Sequence, residues 1–189
     1  MNDLLVLREA IVASFNQKFD VGVSVESHGG TFDLGEIRKF ATLAPAIRVA
    51  LVGCGRASRF NDGRWMVPVH CAAVVITRDA AAPVKIARDA AALLLVSALQ
   101  LAIASNRFGL EGVRQPEDVA ARNEYSGPVE AFGVALWQVT WTSSVLIGNP
   151  GDPADIVIKA LTQASVNGTV TWTLSGGLTD ADPAHPEAA

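Results

Sequence analysis

Val84-Lys85-Ile86-Ala87-Arg88-Asp89-Ala90-Ala91-Ala92-Leu93-Leu94-Leu95-Val96-Ser97-Ala98-Leu99-Gln100-Leu101-Ala102-Ile103-Ala104-Ser105-Asn106 is the stretch the rest of the chain must accommodate. Between Ala90 and Ala104 only Ser97 and Gln100 are polar, so a helix here is apolar around nearly its whole circumference and must be covered on more than one side. Ala82-Pro83 ahead of it suits a helix's first turn, and Asn106 with Gly109 closes it. The run is shorter than the roughly 20 apolar residues a bilayer requires, and Lys85, Arg88 and Asp89 occupy its first turns. It reads as a helix laid on a sheet, with a second cover from elsewhere, such as another subunit. None of its residues proposes chemistry.

Outward from this helix, period decides the elements. Upstream, Leu4, Leu7, Ile11, Val12 and Phe15 recur at three- and four-residue steps and predict an amphipathic helix to Lys18. Val21, Val23 and Val25 alternate with polar or small residues as in a strand that ends at Gly29-Gly30. Asp33 is placed to cap a short helix, with Glu36 at capping-box distance and Ile37 and Phe40 facing inward. Pro45 opens a strand through Ile47, Val49 and Leu51 to Gly53. A loop from Gly55 to Gly63 joins it to a long β-branched run, Arg64 to Arg78, and the two read as a hairpin.

Downstream, Glu111 to Glu124 contains Pro116 and several charges and reads as a loop with at most a short strand. Phe132 to Ile147 is a strand with Ala135, Trp137, Val139, Trp141, Val145 and Ile147 on one face and Gln138, Thr140, Thr142 and Ser144 on the other. Gly148-Asn149-Pro150-Gly151-Asp152-Pro153 marks a boundary. Beyond it, Ile156 to Val166 and Thr169 to Leu174 flank Asn167-Gly168, a strong hairpin signal, although 155–164 also suits the start of a helix. The fold expected is α+β: a mostly antiparallel sheet with the long helix and the N-terminal helix packed on it, plus a C-terminal β-hairpin appendage. The expected divisions are a domain over 1–148, an extension over 149–176 and a disordered tail over 177–189.

Composition bounds the function. Half of the 189 residues are hydrophobic and 18% are charged, which suits a folded body with an apolar surplus for a subunit interface. The net charge of −4 and the scattered arginines give no electrostatic case for specific nucleic-acid binding. Met1-Asn2-Asp3 does not open a secretory signal, so a cytoplasmic start and no membrane association are expected. Cys54 and Cys71 make no disulfide framework and read as small packing residues.

Candidate chemistry fails on context. Gly53-Cys54-Gly55-Arg56 after a strand looks like the opening of a dinucleotide fingerprint. Ser58 occupies the third glycine position, and a polar turn follows where a helix should begin, so no cofactor is expected. Cys54, His28, His70 and Cys71 are zinc-ligand types, but His70 and Cys71 are strand neighbours that point to opposite faces. Cys71 as a nucleophile would need its thiolate in the middle of an apolar strand. No paired carboxylates share an apolar face, so catalytic, cofactor and metal residues are all expected to be none. The interface candidates are Arg56, Arg59, Phe60 and Arg64 in the hairpin loop, and Trp172 beyond the boundary, where a large aromatic anchors into another surface.

The order of elements, with the Leu43-Ala44-Pro45-Ala46 entry to the hairpin, Trp65 opening its second arm and Ala87 to Leu95 opening the helix, resembles the tail-terminator family of Mu-like phages and prophages over Leu4 to Gly148. The resemblance implies a structural virion protein at the head-proximal end of the tail, assembled in host cytoplasm. There it forms a self-associated ring, usually a hexamer, that caps the tube protein, stops its polymerisation and meets the head-tail connector, with DNA passing through the lumen. A head-completion or neck connector is the alternative of similar size, and a small enzyme or nucleotide-binding protein the alternative of another class.

Overall fold

The computed structural model describes residues 4–30, 34–79, 87–124, 126–148, 161–166 and 169–174. It is α+β, as the periodicities require. Helix α1 (Leu4–Lys18) buries Leu7, Ile11 and Phe15, one residue per turn on a single side. Strand β1 (Ser24–Ser27) is shorter than the valine alternation predicts. Val21 is fully exposed, because the Asp20 carboxylate accepts the Val21 N–H at 2.7 Å and the Asp20 carbonyl accepts that of Val23 at 2.9 Å. That local turn takes the donors a strand would have used. Helix α2 (Leu34–Ala41) turns Ile37 and Phe40 inward as expected, while the Asp33 cap lies outside the described residues.

Strand β2 (Ala46–Cys54) and strand β4 (Trp65–Arg78) pair antiparallel, from Ala46 opposite Ile76 to Cys54 opposite Val69. The loop between them holds β3 (Ser58–Arg59), paired back onto Trp65 and Met66. Helix α3 (Arg88–Ile103) lies within the stretch from Val84 to Asn106. The Asp79 carboxylate caps it from the preceding strand end, accepting the Arg88 N–H at 3.0 Å. Ser105, at φ 62°, turns the chain out where the sequence had suggested Asn106 and Gly109. The Asn106 amide donates to the Ala102 carbonyl and to the Ser14 hydroxyl, each at 3.0 Å, which ties the end of α3 to α1.

The charged stretch expected to be mostly loop contains a seven-residue strand, β5 (Glu117–Asn123), after Pro116. It pairs on one side only, with a bulge where Asp118 takes φ 55°. An edge tolerates the proline and the charges that a central strand would not. A single turn, α4 (Gly127–Glu130), leads to β6 (Val134–Ile147).

The sheet order is β1-β2-β4-β6-β5, with β1 parallel to β2 and the other pairs antiparallel. One face carries Ile47, Val49, Cys71, Val75, Val139 and Trp141 against α1 and α3 and forms the main core. Period-2 alternation in β4 and β6 builds it as expected. The opposite face is covered at one end, where Ile37, Phe40 and Val129 meet Val74, Ile76 and Leu136. Strands β7 (Leu161–Val166) and β8 (Thr169–Leu174) form the C-terminal hairpin as a two-stranded sheet of their own. The expectations for 149–160 and 175–189 lie outside the described residues. No helix among the described residues is long and apolar enough to cross a membrane.

Candidate functional site

Helix α3 has one covered side. Ala92, Val96, Leu99, Ala102 and Ile103 are buried on the sheet. On the outer side Leu93, Leu94 and Leu101 are 51%, 65% and 77% exposed. Ala90, Leu94, Ser97, Leu101 and Ala104, all exposed, follow one another at alternating steps of four and three. That spacing keeps them in one seam along the helix. No charged residue falls between Ala90 and Ala104, so the seam has none of the lysines and glutamates that normally solvate an outer helix face. The second cover that the composition demands is not supplied by the described part of the chain.

The hairpin-loop candidates gather at the far end of the sheet. Arg56 is exposed, Arg59 lies on β3, and Phe60 is half-buried. Arg64 is committed locally: its guanidinium donates to the Asp62 carboxylate at 2.8 Å, and the same carboxylate accepts the Arg64 N–H at 3.1 Å. That hydrogen bond holds the Asp62 carboxyl below the usual carboxylate range and raises Arg64. Arg64 therefore shapes the turn before it can serve as a free cation. Phe60 lines a groove of about 510 Å³ with Met66, Val113 and Leu146, to which Glu117 adds a carboxylate and Arg107 and Arg114 add two guanidiniums. The sequence reading missed these last two, which lie in the irregular segment between α3 and β5. Trp172 sits on β8, in register opposite Gln163.

A polar cluster lies under α2. Arg48 is fully buried: its guanidinium is 4.8 Å from the Phe40 ring centroid and donates to the Ser24 carbonyl at 2.9 Å and the Ser24 hydroxyl at 3.1 Å. Its Nε has no hydrogen-bond partner, and burial lowers its pKa against the opposing pull of Glu26, 3.4 Å away. His28 lies 3.2 Å from Glu36 and edge-on to Phe40. With no opening onto the guanidinium, this arrangement holds β1 and α2 to the sheet.

His70 is exposed on one face of β4 and Cys71 buried on the other, as alternation requires. Burial pushes the Cys71 thiol up to about 12. Cys54 is exposed. After Gly55 the chain enters β3 rather than a helix, so the position a pyrophosphate would need is strand. No group of three or more His, Cys, Asp and Glu among the described residues is placed to hold a metal ion. No protein-family description matches the chain, and no curated protein matches it.

Proposed function

We propose that this protein is a structural subunit of a phage tail, a terminator whose copies close into a ring on the tail tube, halt its growth and present a surface to the head connector. The observation that carries the reading is the outer seam of α3, an exposed apolar helix face without a charge in a folded domain. Leaving three leucines and their small neighbours in water is unfavourable by roughly 25 cal/mol for each Å² of apolar surface, and association removes that cost. The resemblance of Leu4 to Gly148 to the tail-terminator family supplies the particular assembly, a ring of about six. The one-sided strands β1 and β5 offer further edges for a neighbour. In this reading Arg56, Arg59 and the Phe60 groove lie at the end of the sheet available to the tube or connector.

Light scattering and negative-stain microscopy of the purified chain test the assembly, with closed rings expected. Added to polymerising tube protein, the chain should give short capped tubes. A monomer at every concentration, with tubes growing unhindered, overturns the reading. Loss of the protein from the producing phage should give overlong tails. Normal-length free tails would make it a neck connector instead.

A further inference from the structure

We infer that the β7–β8 hairpin of a second copy is what covers the outer seam of α3, so that subunits are joined by an exchanged C-terminal arm. The inference rests on the assembly reading above and names the partner of that surface.

The hairpin requires a cover as much as the helix does. Its register sets Leu161 opposite Leu174, Gln163 opposite Trp172 and Ser165 opposite Val170. Directly opposed residues share a face, so four of these six positions make one side apolar. Thr162, Thr169, Thr171 and Thr173 belong to the other side, together with Ala164 and Val166. Two strands alone are marginal in water and become stable on a third layer. Here they form a separate two-stranded sheet, while Leu94 and Leu101 of the same chain remain 65% and 77% exposed. The described part of the chain leaves the helix seam uncovered.

The two surfaces match. Neither strand of the hairpin contains a charged residue, and neither does α3 from Ala90 to Ala104. Six-residue strands run about 20 Å, and fifteen helical residues run about 22 Å. The twelve residues between Gly148 and Leu161 reach up to about 40 Å when extended, far enough to deliver the hairpin to a neighbour. An arm given to one neighbour and received from another is a heterologous contact, the kind that closes rings.

Two chains, each with one introduced cysteine, test this in a Cys54→Ser background that keeps the buried Cys71. One carries Ala98→Cys beside the seam, the other Gln163→Cys at the register position of Trp172. Mixed and oxidised, they should form a disulfide-linked pair, and a chain carrying both cysteines should give a ladder of linked subunits. Trp172→Asp should weaken association at least tenfold with the far-ultraviolet circular dichroism of the domain unchanged. If the doubly substituted chain closes only on itself, the hairpin docks in its own subunit and the exchange is wrong. If light scattering shows rings but no link forms and Trp172→Asp assembles normally, the arm assignment falls and the assembly reading stands. A monomeric chain without links overturns the arm, and takes the assembly reading with it where tube growth is also unhindered.

Discussion

Arg48 shows how much of this fold a single side chain can hold, and which half of an ion pair matters. Its guanidinium is sealed under Phe40, whereas its acidic partner Glu26 is 62% exposed. Screening by water leaves such a pair worth little, so Glu26→Gln should change the unfolding free energy by less than about 1 kcal/mol. Arg48→Ala removes the packing under Phe40 and three hydrogen bonds, to Ser24 and Ile47, and should cost about 3 kcal/mol in urea unfolding. Arg48→Met, which fills the space without the desolvated charge, should recover most of that. Cys71 gives the pH counterpart. Its folded pKa is raised, so above about pH 9 the unfolded chain releases a proton that the folded chain keeps. Its contribution to stability is whole below that pH and is lost toward 12, at about 1.4 kcal/mol per pH unit. Urea midpoints of the parent should therefore fall more steeply from about pH 9 to 11 than those of Cys71→Ala, and the two should run parallel below about pH 8.

At the scale of elements, α3 separates what sequence can specify from what only the packed chain can. Leu94→Glu with Leu101→Glu should leave the domain folded, because both side chains stand in water, with an unfolding free energy within about 1 kcal/mol of the parent. The same pair should abolish rings in light scattering, since it puts two carboxylates into an apolar contact. That α3 is a helix, and that β4 and β6 run antiparallel with Trp141 inside, was legible from periods of 3.6 and 2. Which side of α3 faces the sheet was not, because a helix apolar all round has no direction in its sequence. The buried Ala92, Val96, Leu99 and Ile103 follow the same four-three spacing as the exposed Ala90, Leu94, Ser97, Leu101 and Ala104, so spacing alone does not choose between them. The Arg107 and Arg114 rim was illegible for another reason: it is assembled from irregular backbone brought beside Phe60 by tertiary pairing. Val21 failed as a strand residue because the Asp20 turn competes for the same donors, and β5 emerged where charges argued against it because an edge tolerates them.

Across the whole molecule, charge and apolar surface are distributed apart. Through Gly148 the chain carries fourteen Lys and Arg against fourteen Asp and Glu, and all of the net negative charge follows, in Asp152, Asp155, Asp180, Asp182 and Glu187 against Lys159. Two forces for assembly therefore make opposite demands on salt. If subunits met through the arginine-bearing end of the sheet and the acidic extension, association would be electrostatic and would fall steeply as added ions shorten the screening length from about 14 Å toward 4 Å. If they meet through the α3 seam and the uncharged hairpin, neither surface holds an ion for salt to screen, and water exclusion dominates. The association constant measured by analytical ultracentrifugation should then change less than about threefold between 0.05 and 0.5 M sodium chloride. It should rise in ammonium sulfate, which strengthens apolar burial. A tenfold fall over the same chloride range would move the contact to Arg56, Arg59, Arg107 and Arg114, and the leucine seam would need a different partner.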